Sequence, residues 1–194
     1  MNISITRLWC YRLGLMLALT IALSPEATRA APRFASVSEL AVAAETVAAA
    51  EILSMTSEMV STPAGRFPFI LYRARTLKLI AGNAPAVFTL RLPGLLSAAR
   101  IVAPADVPAL APGTKAVMFI KTARFTAPAE AVYEPVCPAQ AIVPLIETGP
   151  GLEPLALVSV ERPAGPGRER AVRVRLRDLG AQVLAARQNR AVPR

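Results

Sequence analysis

The alternation of apolar and polar positions is strongest between Arg66 and Pro93, RFPFILYRARTLKLIAGNAPAVFTLRLP. Ile70, Tyr72 and Ala74 fall on one face of an extended chain, with Leu71, Arg73 and Arg75 on the other. After Thr76 the apolar set moves to Leu77 and Leu79. Strand side chains alternate with period two, so a change of phase inside one run predicts a β-bulge that bends the strand. Gly82-Asn83-Ala84-Pro85 reads as a turn, and a second strand sets Val87, Thr89 and Arg91 against Phe88, Leu90 and Leu92. A long, bent strand feeding a hairpin predicts a small barrel.

The other elements are arranged around this hairpin. Val37–Ala44 predicts a short helix, with Ser36 or Ser38 as N-cap and Glu39 where the helix dipole favours an acid. Glu45–Val60 predicts a long strand, although its alanines also suit a helix, and Thr62–Gly65 a turn. Pro104, Pro108 and Pro112 make Gly94–Gly113 a loop, with Ile101-Val102 briefly extended. Lys115–Thr122 predicts a buried strand, with Val117 and Phe119 on one face and Met118 and Ile120 on the other. Arg124–Pro138 reads as loop broken by Ala131-Val132-Tyr133, and Gln140–Ile146 and Leu155–Val160 as short strands. Pro144 marks the first of these as an edge or a bulge.

Past Val160 the composition shifts. Pro163–Gly167 reads as a linker. Val172, Val174 and Leu176 then alternate with Arg173, Arg175 and Arg177, an arginine-faced strand. A short helix follows on the spacing of Leu176, Leu179, Val183 and Leu184, weakened at Gly180 and frayed from Asn189 onward.

The N-terminus carries the marks of a secretory leader: Arg7 and Arg12, the uncharged Leu13–Leu23 run, and Thr28-Arg29-Ala30 at a cleavage position. The apolar run is about half of the ~20 residues a span needs. Cleavage after Ala30 is therefore expected, giving a leader at 1–30, a barrel domain at 31–161 and an Arg-rich segment at 162–194. Cys10 precedes the apolar run, where it does not serve as a lipidation site, and leaves with the leader. Cys137 then remains alone and is expected as a partly buried, inert thiol, with pairing between chains as the alternative.

Charge is unevenly placed. The net charge is +9. Residues 31–161 hold ten basic and ten acidic side chains, whereas 162–194 hold nine arginines against Glu169 and Asp178. The excess of the mature chain thus lies at its C-terminal end, which reads as an appendage to a neutral barrel.

The sequence of features resembles bacterial exported β-barrel proteins of OB-like or netrin-like type, over Ser36 to Val160. The resemblance rests on SELAVAAETVAAAEILS, LIAGNAP, AVFTLRLPG and APGTKAVMFI. It departs at Ala48-Ala49-Ala50, where a glycine is usual, at Ala81 in place of a lysine, and at Thr114 in place of a glutamate. It implies a mainly β fold, a small OB-like/netrin-like barrel with a short N-terminal helix and a C-terminal helix, and carries no catalytic residues. Its animal relatives include tissue inhibitors of metalloproteinases, which chelate zinc through an N-terminal cysteine. With Ala31 as the expected mature terminus, that mechanism does not transfer.

The absence of histidine removes His-dependent triads, Cys–His dyads and nearly all catalytic zinc sites. Glu39, Glu45, Glu51 and Glu58 are spread at six- or seven-residue steps and read as solvated surface, not as a converging carboxylate pair. Tyr72, Phe88, Phe119 and Tyr133 suit base stacking in an OB barrel but read first as core. No phosphate-binding glycine loop is present. Neither catalytic residue, metal nor cofactor is expected. The candidate anion-binding set is Arg168, Arg170, Arg173, Arg175 and Arg177, since the guanidinium fork suits phosphate and carboxylate.

The expected function is therefore an exported, non-enzymatic binding or structural module of the periplasm or cell exterior. Its expected partner is a protein or an anionic envelope component, with peripheral membrane contact in view and nucleic acid disfavoured. The alternatives are a carboxylate-using enzyme, or adhesion to anionic envelope polymers or lipid through the arginines.

Overall fold

The computed structural model describes residues 36–191 apart from 63–64, 98–99, 124–130, 150–152 and 162–168. The expected leader, its expected cleavage site and Cys10 lie outside the described residues. Among the described residues ten strands and two helices follow in order: α1 (Val37–Ala43), β1 (Thr46–Thr62), β2 (Gly65–Ala81), β3 (Val87–Pro93), β4 (Leu95–Ser97), β5 (Arg100–Val102), β6 (Lys115–Thr122), β7 (Val132–Pro135), β8 (Ile142–Ile146), β9 (Leu155–Glu161), β10 (Glu169–Arg175) and α2 (Leu176–Ala191).

Eight of the strands form one sheet in the order β1-β2-β3-β7-β6-β8-β9-β10, and an extra β1–β6 pairing brings its first five strands into a ring. β3 and β7 run parallel, while every other neighbouring pair is antiparallel. Closure satisfies the backbone groups that an open edge would leave unpaired. The fold is mainly β, a small barrel with one short helix near the N-terminus and one helix at the C-terminus, as expected from the sequence.

Alternation decides what fills the barrel. Ala50 and Ile52 of β1, Ile70, Tyr72 and Ala74 of β2, Phe88, Leu90 and Leu92 of β3, and Ala116, Met118 and Ile120 of β6 make the interior. The intervening residues of β1 and β6, Val47, Ala49, Val117 and Phe119, make a second core outside the ring. There they meet Leu40 and Ala41 of α1, Leu176, Leu179 and Val183 of α2, and Ala156 and Val158 of β9. This two-sided burial explains why β6 and the start of β1 read as unbroken apolar runs. It also settles the ambiguity of the alanine-rich segment, which is a strand.

The predicted bulge is present. Ala50 pairs with Thr76 and Ala49 with Lys78, so Leu77 is the extra residue. Two further irregularities were not foreseen: Ile80 is extra in β2, and Leu53 is extra in β1, because Ile52 pairs with Ala74 and Ser54 with Arg73. Gly82 ends β2 at φ +83°, and a Cβ there would lie 2.2 Å from the carbonyl oxygen of Glu45. The neighbouring Thr46 hydroxyl donates to the Asn83 carbonyl at 2.7 Å and ties the turn to β1.

α1 starts with a capping box. Ser36 Oγ accepts from the Glu39 backbone at 3.2 Å, and the Glu39 carboxylate accepts from the Ser36 backbone at 2.8 Å.

Three expectations need correction. Residues 94–113 were expected as loop, yet they hold the β4–β5 hairpin, entered through Gly94 at φ +148°. The rest of that segment is held to the barrel by Leu110, buried in the interior cluster with Tyr72, and by Val107 packed against it. Burial raises the pKa of the Tyr72 phenol, and a hydrogen bond with the Leu110 backbone opposes it. β8 lies between β6 and β9 and is not an edge strand, although Pro144 itself pairs only with Ala116 of β6, because pairing with β9 begins at Leu145. α2 is neither short nor frayed at Asn189, and Leu184 faces solvent at 48% exposure. Leu184 lies about 100° round the helix from Val183, so it misses the buried stripe of Leu176, Leu179 and Val183.

Two glycines give opposite expectations. Gly82→Ala should destabilise by about 2–5 kcal/mol, from a backbone conformation alanine disfavours and a clash with fixed backbone. Gly180 is helical, and a Cβ there would meet only Ile80 at 3.7 Å, an ordinary contact. Gly180→Ala should stabilise by about 0.5–1 kcal/mol. Urea unfolding monitored by circular dichroism measures both, and equal signs would contradict this account of the two positions.

Candidate functional site

The arginine-rich C-terminal segment is built into the sheet. β10 pairs with β9 through seven consecutive positions, from Glu169 opposite Glu161 to Arg175 opposite Leu155. α2 then begins at once, and its first-turn amides are met by residues just before β9. The Leu176 N–H donates to the Pro154 carbonyl at 3.2 Å, and the Arg177 N–H to the Glu153 carboxylate at 2.7 Å. A carboxylate at this end suits both the unpaired amides and the helix dipole.

The structure divides the five candidate arginines. Arg168 lies outside the described residues. Arg170 is in β10 opposite Val160, and its side chain lies outside what the structure describes. Arg177 is not on the strand at all; it is in the first turn of α2, with its Nε 3.6 Å from Glu153 and 3.5 Å from Asp178. Arg173 and Arg175 share a face of β10, are exposed, and form no ion pair with a described residue. Among the described side chains only these two make a common site. β10 also closes the eight-strand order at one end, so they stand on an edge strand.

Two arginines that the sequence reading passed over have definite work in the fold. Arg187 donates from Nε to the Ala41 carbonyl at 3.1 Å and from its terminal nitrogen to Ala44 at 2.7 Å. Arg190 donates to Val42 at 2.7 Å. Together they satisfy the open carbonyls at the C-terminus of α1, where positive charge is favoured. Burial lowers the pKa of Arg187 from its ordinary value. The signal was available, for these residues are four and seven positions past Val183 and continue its stripe. Arg91 of β3 is also buried, at 4% exposure, with its guanidinium 5.0 Å above the Phe69 ring and 3.4 Å from Glu134.

The acids are dispersed into local roles. Glu39 caps α1, and Glu51 pairs with Arg75 at 2.6 Å. Glu45 accepts from the Thr122 amide at 2.8 Å and hydroxyl at 2.7 Å, and these bonds hold its carboxyl below the usual range. Glu58 is exposed on β1. Among the described residues no group of three or more His, Cys, Asp or Glu is placed to hold a metal ion.

The aromatic candidates are core. Tyr72, Phe88 and Phe119 are at most 2% exposed, and Tyr133 meets Phe88 edge-on at 5.5 Å. Cys137 is half-buried against the outer core and unbridged. No described helix is long and apolar enough to cross a membrane. No family model matches the chain, and no curated protein matches it.

Structural and surface arginines should separate by unfolding. Arg187→Met removes two hydrogen bonds to carbonyls of α1 and should cost about 1–3 kcal/mol. Arg173→Gln with Arg175→Gln should stay within about 0.5 kcal/mol of the parent per site. Comparable losses in both variants would show that β10 needs its arginines to fold.

Proposed function

We propose that this protein is an exported, non-enzymatic binding module of the bacterial cell envelope, with β10 presenting the contact surface for an anionic partner. The observation that carries the reading is the pair Arg173 and Arg175, exposed on one face of an edge strand. The arginines around them are engaged elsewhere, Arg177 with acids and Arg187 and Arg190 with α1. Resemblance to exported OB-like or netrin-like barrels and the leader-like first 30 residues support placement in the periplasm or outside the cell. The dispersal of Glu39, Glu45 and Glu51 into separate structural contacts supports binding over catalysis.

Near an anionic membrane each basic residue contributes about 1 kcal/mol. Replacing Arg173 and Arg175 by glutamine should therefore weaken adsorption to vesicles rich in anionic phospholipid roughly thirtyfold. Adsorption of the parent should also fall sharply at 0.5 M salt, where screening acts within roughly 4–5 Å. Vesicle co-sedimentation measures both, and a double variant that adsorbs like the parent at low salt removes β10 as the contact surface. Export is tested separately: intact mass of the periplasmic protein should correspond to a chain beginning at Ala31, whereas full-length protein retained in the cytoplasm contradicts it.

A further inference from the structure

β1 is far longer than the barrel needs. Its pairing with β6 ends at Glu51, and the loop before β6 adds one more step, with Ile52 N–H donating to the Thr114 carbonyl and Gly113 N–H to the Ile52 carbonyl. From Leu53 onward β1 pairs with β2 on one edge, and no described strand occupies the other. β4 approaches β1 and β2 but pairs with β5.

The bulge at Leu53 decides which backbone groups face that open edge. Ile52 directs its N–H and C=O toward the β6 side. On β2, Thr76 N–H and the Pro68 carbonyl bond on the β3 side, so the even-numbered residues from 68 to 76 face β3 and the odd ones face β1. Ser54, Thr56, Glu58 and Val60 pair with Arg73, Leu71, Phe69 and Phe67, and these make the ladder bonds between β1 and β2. Met55, Ser57 and Met59 therefore direct their amides and carbonyls outward.

This edge lacks the usual protection against pairing. From Ser54 to Ser61 it holds neither proline, lysine nor arginine, and Glu58 is its one charge. The opposite end of the sheet, β10, carries arginines instead, and β2 places Pro68, which has no N–H, where its own outer edge continues past β3. Met59 is 48% exposed, and Met55 shares its face.

We propose that β1 pairs antiparallel with β1 of a second copy of this chain, about a two-fold axis at Ser57. In that register Ser57 faces Ser57 of the other copy, Met55 faces Met59, and Thr56 faces Glu58. The outward-bonding residues meet one another, both methionine pairs gather on one face, and no like charges lie directly opposite. Moving the axis to Glu58 would instead oppose two carboxylates, which cross-strand pairing disfavours. This self-complementarity is the reason for choosing a second copy over an unrelated strand.

The test is sedimentation velocity on the protein from about 1 µM to 0.5 mM. A concentration-dependent dimer is expected. S57P removes an amide that points away from β2 and should weaken the dimer at least tenfold while leaving the thermal midpoint nearly unchanged. S57K and S57E each set like charges opposite one another at the axis and should be monomeric, whereas their equimolar mixture should restore the dimer. A parent that stays monomeric throughout the range overturns the proposal. So does a parent dimer that S57K leaves intact, or single variants whose mixture fails to reassociate. Unchanged circular dichroism of S57K and S57E guards against reading misfolding as dissociation.

Discussion

The first seven residues of β1, Thr46 to Ile52, are covered on every side, and the rest of the fold depends on this. One edge pairs with β2 and the other with β6, which closes the ring. One face lines the barrel through Ala50 and Ile52, and the other carries Val47 and Ala49 into the outer core. A strand enclosed in this way has little room, which explains the run Ala48-Ala49-Ala50: larger side chains would force the barrel wall away from the layer around it. The same crowding places the Gly82 backbone against Glu45, so the turn that ends β2 is constrained by the residue that begins β1.

The outer layer joins the two ends of the described chain. Val47 and Ala49 share the outer core with Leu179 and Val183 of α2, and the last carbonyls of α1 receive Arg187 and Arg190. α1 has only seven residues and would be marginal alone. It is held at its start by its own capping box and at its end by the C-terminal helix. Closing a connection of this length costs only slightly more than closing a shorter one, because loop entropy grows with the logarithm of length. α2 supplies Leu176, Leu179 and Val183 to that outer core, so its packing draws on residues from both ends of the described chain.

Charge follows the same division between fold and surface. The C-terminal excess of arginine looks uniform along the sequence, but the structure assigns it to separate tasks. Arg187 and Arg190 complete α1, Arg177 joins Glu153 and Asp178 at the start of α2, and Arg173 and Arg175 stand in solvent on β10. Arg91 shows the opposite extreme, a guanidinium enclosed on the barrel's outer wall between Phe69 and Glu134. A count of like charges in a segment therefore gives an upper limit to what its surface offers a partner.

Periodicity by itself determined the central hairpin with its Leu77 bulge and the faces of β6, and narrowed the helix cap to Ser36 or Ser38, because each depends on residues only a few positions apart. Alternation within β2, β3 and β6 separates barrel interior from exterior without knowledge of the partner strands. The three-dimensional arrangement decided the rest. The alanines of β1 suit helix and strand alike, and only burial on both faces makes them a strand. The arginines of β10 read as one cluster, yet the onset of α2 takes Arg177 off the strand. Leu184 and Arg187 exchanged the roles their chemistry suggests, because what lies beside each is α1 or solvent, and which one depends on a contact made across nearly the whole length of the chain.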